Sequence, residues 1–196
     1  DLESVTVPFI GEIPLFTRKK KGIFGKKPQE VKAVVVKEGS RDIINEAFRV
    51  LRTNLEFMAD KDKTSNVIIV TSFNPGSGKS FLTMNIAVSF AIKGKKVLVI
   101  DGDLRHGSAS SYIDSPARGL SDYLGGRIDN LNEIIVSDPK QKSMDILPVG
   151  TIPPNPTELL FDERLKQVID TVRGQYDYVL IDCPPIELVA DTQIIE

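Results

Sequence analysis

The sequence predicts an α/β domain built on a doubly wound, mostly parallel β-sheet. Three observations lead there. Short apolar runs recur at Val67–Val70, Val97–Ile100 and Tyr178–Ile181, and strands apolar on both sides belong to sheets covered on both faces. Segments of helical period fall between these runs, so strand and helix alternate as a parallel sheet with crossover helices requires. Each run is followed by glycines or aspartates, and the carboxyl ends of strands are where open α/β sheets bind ligands.

Composition agrees. The chain has 196 residues, 41% hydrophobic and 27% charged, which is ordinary for a globular domain and long enough to bury roughly 70% of the unfolded surface. Cys183 is the only cysteine, so an intrachain disulfide is excluded and a reducing compartment is expected. Lys+Arg 25 against Asp+Glu 27 leaves a net charge of −2, which excludes a globally basic nucleic-acid binder. No uninterrupted apolar run exceeds four residues, against ~20 for a spanning helix. The expectation is a soluble segment with neither transmembrane helix nor signal peptide.

Taken in order, residues 1–39 read as a linker and basic arm: Pro8, Gly11 and Pro14 punctuate its start, and Arg18, Lys19, Lys20, Lys21, Lys26 and Lys27 crowd around two glycines. Residues 40–196 read as the folded domain. Ala33–Val36 is a short strand. Arg41–Met58 is an amphipathic helix with Ser40 as N-cap, because Ile44, Phe48, Leu51, Leu55 and Met58 are spaced 4, 3, 4, 3 and form one buried stripe. Val67–Thr71 is a buried strand, Ser80–Lys93 a helix stopped by Gly94 with Met84 in its core face, and Val97–Ile100 the next strand. After a loop-rich middle, Ile146 and Leu147 suggest another strand. Asn155-Pro156-Thr157-Glu158 opens a helix with a cap, Pro in the first turn and Glu at the third position. It reaches about Arg173 with a break near Asp162, before strand Tyr178–Ile181.

Strand, then Ser72-Phe73-Asn74-Pro75-Gly76-Ser77-Gly78-Lys79-Ser80, then helix is the context of a phosphate-binding P-loop. Backbone N–H groups of Gly76, Ser77, Gly78, Lys79, Ser80 and Phe81 at a helix N-terminus suit an anion; Lys79 adds a full charge and the Ser80 hydroxyl a Mg²⁺ ligand. The strict pattern places Gly where Phe73 stands, so the first corner is atypical. The plainer alternative is a glycine-containing strand-to-helix turn with an incidental lysine.

Two acidic motifs follow apolar strands: Asp101-Gly102-Asp103-Leu104-Arg105 and Asp182-Cys183-Pro184-Pro185. In a parallel sheet both fall beside the P-loop. Asp101, Asp103 and Asp182 would hold Mg²⁺ directly or through water, and one of them would accept a proton from an attacking hydroxyl. Asp182 alone also fits a turn or helix cap. Cys183 reads as a buried neighbour of Asp182, and His106 as a loop residue.

These residues resemble the bacterial tyrosine kinases (BY-kinases) of capsule and exopolysaccharide export, on the MinD/ParA-like branch of P-loop NTPases. Gly76–Ser80 matches the family's Walker A loop, Asp101 with Asp103 its Walker A′ strand end, and Asp182 with Pro184-Pro185 its Walker B end. Asn74 stands where MinD/ParA ATPases carry a signature lysine, which favours the kinase branch. Glu46, Arg49 and Arg52 fit the E-x-x-R-x-x-R motif through which the family's domains assemble into rings. Periodicity alone reads them as a solvated face opposite the apolar stripe, free for a partner.

The resemblance implies ATP and Mg²⁺ as cofactors, Lys79, Asp101, Asp103 and Asp182 as catalytic, and Asp101 as the group that activates the incoming tyrosyl oxygen. It implies a ring of copies phosphorylating a tyrosine-rich tail in trans and a membrane-spanning polysaccharide co-polymerase segment upstream. It further implies a cognate phosphatase, an anionic inner-membrane surface met by the basic arm, and no nucleic acid. The C-terminal strands and tyrosine cluster are expected to lie beyond Glu196. Asp191 reaches the site only if residues 186–196 fold back. A MinD/ParA-type switch ATPase and a non-catalytic nucleotide-binding regulator remain as alternatives.

Overall fold

The structure is a computed structural model that describes residues 8–15, 33–60, 65–160 and 163–185. The basic residues 18–27, the expected break at Asp162 and Asp191 lie outside the described residues. Five strands, β1 (Asn66–Val70), β2 (Val97–Asp101), β3 (Val136–Ser137), β4 (Met144–Leu147) and β5 (Tyr178–Asp182), form one sheet in the order β1-β5-β2-β4-β3. All pairings are parallel except β3 with β4. β3 is two residues long, too short for a strand pattern to show in the sequence.

Alternation along β2 and β5 builds two cores. Val97, Val99, Tyr178 and Leu180 pack under α1 (Ile43–Met58) and α2 (Lys79–Ile92). Leu98, Ile100, Val179 and Ile181 pack under α3 (Leu120–Leu124), α4 (Pro156–Leu160) and α5 (Glu163–Arg173). Successive side chains of a strand point to opposite faces, so two fully buried strands supply both layers. Phe90 of α2 stacks on Tyr178, ring centroids 4.0 Å apart.

Three local expectations are corrected. The N-cap of α1 is Asp42, whose Oδ1 accepts the Asn45 N–H at 2.9 Å, while the Ser40 hydroxyl donates to Asp42 Oδ2 at 2.7 Å. A carboxylate at an N-cap also meets the positive end of the helix dipole. Ala33–Val36 is no strand: the Asn85 side chain accepts from the Val35 and Val36 N–H groups and donates to Ala33 O, and Asn45 accepts from Lys37 N. Two buried amides thus satisfy backbone that a sheet neighbour would otherwise pair. Met58, at the end of the stripe, is 57% exposed.

Candidate active site

The three strand ends are tied together by backbone before any side chain is considered. Cys183 N–H donates to Val70 O at 2.9 Å and Gly102 N–H to Asp182 O at 2.9 Å. The Thr71 hydroxyl donates to Pro184 O at 2.8 Å. Asp101 and Asp182 face each other in the β2–β5 register. A side chain at 102 would bring a Cβ to 3.1 Å from Asp182 O, so glycine there permits the two acidic strand ends to close up.

Between β1 and α2 the chain turns through Gly76 (φ +71°) and Gly78 (φ +88°), left-handed conformations that glycine adopts without strain. The hydroxyls of Ser72 and Ser77 both donate to Asn74 O, at 2.8 and 2.6 Å, and brace the loop. Phe73 has no positive φ and its side chain is 71% exposed, so the missing glycine costs the corner no backbone strain. Lys79 and Ser80 are the first two residues of α2, whose leading N–H groups have no helical partner.

Gly76, Ser77, Gly78, Lys79, Ser80 and Phe81 line a cleft of about 660 Å³, within the range of small-ligand sites. Asp103, His106, Tyr112 and Pro185 line it as well, and Ile10, Ile13 and Pro14 of the N-terminal segment close one side. Sequence reasoning placed that segment in a linker. Its docking shows in Asn54 donating to Ile10 O at 2.7 Å and in Gly11 against Leu51, and Gly11 is the one sequence hint of that close approach.

The carboxylates divide by position. Asp103 lies at the cleft and accepts from the Arg105 and His106 N–H groups at 3.3 Å each; His106 Nδ1 stands 3.2 Å from both its oxygens. Asp101 is fully buried and does not line the cleft. Its Oδ2 accepts from both the N–H and the hydroxyl of Ser110, each at 2.6 Å. Burial pushes its pKa up to about 7 against those bonds, with the Asp182 charge adding to the rise. Asp182 is fully buried too and likewise does not line the cleft; it is raised to about 6 by burial, with Ser80 and Lys79 opposing. Ser80 favours the charged form without completing a hydrogen bond, since neither Asp182 oxygen has a partner among the described residues.

Buried carboxylate oxygens without partners are costly unless a cation completes them, so these residues fit a Mg²⁺–nucleotide. Ser80 and Asp103 at the cleft, and the buried Asp182 at the end of β5, are the residues that could hold the ion and its waters. Among the described residues no three acidic, His or Cys side chains could hold a metal ion by themselves. Mg²⁺ at nucleotide sites keeps waters and shares phosphate oxygens.

The E-x-x-R-x-x-R residues separate. Arg49 Nη1 pairs with Glu46 Oε1 at 2.8 Å on the surface. Arg52, expected to be free, is 7% exposed and donates from Nη1 to Ser89 O at 3.1 Å and Ser89 Oγ at 3.2 Å. Position 52 is ~180° around the helix from the outward-facing Ile43, and Ser89 is a polar partner on the otherwise apolar α2.

The sequence pattern of the AAA domain family matches residues 65–195. Tyrosine-protein kinase etk of Escherichia coli K12 is 39% identical over 151 residues, 76% of this chain and 20% of its own length. The chain thus spans a fifth of that curated relative. The crystal structure of the chimerical protein CapA2B2 superimposes with a TM-score of 0.79 at 31% identity, covering 98% of this chain and 77% of that one. The septum site-determining protein MinD of Pyrococcus horikoshii, complexed with Mg-ADP, superimposes with a TM-score of 0.54 at 32% identity, over 62% of this chain and 49% of that one. With its Walker A, A′ and B residues gathered at one end of a parallel sheet, the chain belongs to the AAA domain family, and the relatives it resembles include proteins named as bacterial tyrosine-protein kinases.

Proposed function

We propose that this chain is the nucleotide-binding catalytic domain of a protein-tyrosine autokinase that regulates capsular or exopolysaccharide polymerisation and export. The observation that carries this reading is the convergence of Lys79, Asp103 and Asp182 where β1, β2 and β5 end beside the cleft. The name of the E. coli relative and the Mg-ADP of MinD support it. Phosphoryl transfer asks a protein mainly for alignment and charge stabilisation. Lys79 and the N–H groups of residues 76–81 grip the β- and γ-phosphates. Mg²⁺, when bound, would neutralise charge on the phosphate oxygens, and Ser80, Asp103 and Asp182 would hold it with its waters.

The acceptor tyrosyl oxygen bonds to the γ-phosphorus as the bond to the departing ADP oxygen breaks, and the phenolic proton passes to Asp101. A free tyrosine has a pKa of about 10, so this acceptor matters. Asp101 does not line the cleft, so the proton would reach its Oδ1, which has no partner among the described residues, by way of a water admitted with the substrates.

Glu46 and Arg49, the exposed part of their motif, offer a surface to a second copy in a ring. The basic arm meets anionic lipid at the cytoplasmic face of the inner membrane, where each cation contributes ~1 kcal/mol. A co-polymerase segment upstream and a cognate phosphatase complete the set of partners. Among the described residues no helix is long and apolar enough to cross a membrane.

The test is a phosphotyrosine assay on the full-length protein beside Lys79→Met. Label on tyrosine in the wild type and its loss in the variant is the expected result. ATP consumption without phosphotyrosine supports instead a MinD-type switch ATPase, the reading favoured by the MinD likeness. ATP binding with neither outcome leaves a nucleotide-binding regulator.

A further inference from the structure

We infer that Ser110 is a positioning residue: its hydroxyl locks one oxygen of Asp101 and ties that carboxylate to the strand-end loop after β4, leaving Oδ1 as the single oxygen through which Asp101 acts. This rests on the kinase reading above and adds to it a residue outside all three nucleotide motifs.

The geometry is specific. Ser110 is 3% exposed and opens the 3₁₀ turn Ser110–Ile113. Its N–H and its hydroxyl both donate to Asp101 Oδ2 at 2.6 Å. The same hydroxyl accepts the Val149 N–H at 2.8 Å. One buried oxygen atom therefore spans the Walker A′ strand, the turn nine residues further on, and the loop leaving β4. With Oδ2 taken up twice, Asp101 cannot rotate its carboxylate without breaking two buried hydrogen bonds. Its other oxygen, Oδ1, has no partner among the described residues. A carboxylate fixed in this way presents one lone-pair direction instead of an average over rotamers, which is what positioned proton transfer needs.

The turn also reaches the cleft. His106, Ser108 and Tyr112, on either side of Ser110 in the chain, line it. On the far side, Val149 O accepts the Ser121 N–H at 2.9 Å and so anchors α3. Ser110 is thus the link through which the cleft wall and the β4 loop hold Asp101 in register. The Asp103 carboxylate, at the cleft itself, has no bond to Ser110 among those described.

The experiment compares the full chain with Ser110→Ala and Ser110→Thr, using Mg-ATP and a Glu/Tyr copolymer as acceptor, with nucleotide affinity measured separately by fluorescence titration. Ser110→Ala is expected to lower kcat by roughly 10- to 100-fold, the usual effect of removing an outer partner of a functional ligand. KM for ATP and nucleotide Kd should stay within about twofold, because the phosphate-gripping residues are untouched. Ser110→Thr, which keeps the hydroxyl, should recover most of kcat. If Ser110→Ala does not fold, Ser110→Cys, with only a weak donor in the same place, is read in the same way. Unchanged kcat in a folded variant overturns the proposal, as does a loss confined to KM or to melting temperature, or a Thr variant as impaired as the Ala one. A wild-type chain that binds nucleotide but transfers no phosphate sinks the kinase reading and this proposal with it, an outcome distinct from an active wild type indifferent to Ser110.

Discussion

Asp101 and Asp182 sit side by side, fully buried, with three of their four oxygens lacking a hydrogen-bond partner among the described residues. Both pKa values are raised, to about 7 and about 6, chiefly by burial. In the unfolded chain both groups ionise near 3.8, so between about pH 4 and pH 7 the native state binds more protons than the unfolded one. Stability must then fall as pH rises through that window. The nucleotide-free protein should melt at a lower temperature at pH 8 than at pH 5.5. Asp182→Asn should raise the pH 8 melting temperature by several degrees, at roughly 2–4 °C per kcal/mol for a chain of this size, and flatten the pH dependence. A melting curve indifferent to pH, or an Asn variant no more stable than wild type, contradicts this account of the pair. Phe73 lies at the opposite extreme: with its ring in solvent and no positive φ, Phe73→Gly should leave nucleotide affinity within about twofold, as surface changes usually do. The motif acids and the loop glycines were legible as residues in the sequence. Which acid faces the cleft was not, because Asp101 and Asp182 are buried by packing of strand and turn that no local pattern encodes.

At the scale of elements, helix α1 shows where periodicity informs and where it stops. Spacing located the helix and its buried Phe48 and Leu51. It could not show that Arg52, on the flank of that stripe, finds Ser89 on α2, since a cross-helix partner is invisible to the spacing of one helix. Arg49 and Arg52 should therefore behave differently. Arg49→Ala removes an exposed ion pair with Glu46 and should change stability by no more than about 0.5 kcal/mol. Arg52→Ala leaves Ser89 and Glu56 without their partner and should cost about 2 kcal/mol or more. Chemical denaturation of the two single variants checks this. Equal stabilities would place Arg52 back on the surface. For ring assembly, the variant to trust is accordingly Arg49→Ala, whose effect on self-association is free of a folding defect. Ala33–Val36 makes the complementary point: its apolar run reads as a strand, yet its backbone bonds go to Asn85 and Asn45, side chains 10 to 52 residues away.

For the whole molecule, the alternation of apolar strand and helix was enough to give a mostly parallel sheet with both faces covered, and the two core layers on β2 and β5 follow from it. The strand order, the antiparallel β3 and the docking of residues 10–14 over the cleft rest on long-range packing that no local pattern encodes. Leu180, fully buried on a strand flanked by β1 and β2, anchors this arrangement, and Leu180→Ala should destabilise the chain by about 2–5 kcal/mol. The central claim is that a nucleotide with its divalent ion docks where β1, β2 and β5 terminate, held by Lys79 and Ser80 and faced by Asp103 and Asp182. Calorimetric titration of ATP into the folded chain, with Mg²⁺ and again after chelation, tests it most directly. The account predicts one site per chain, weakened at least about tenfold by removing Mg²⁺ and by Lys79→Met, as expected when a charge-assisted phosphate contact is lost. Binding equally tight without Mg²⁺, or no binding by a chain shown to be folded, would contradict it.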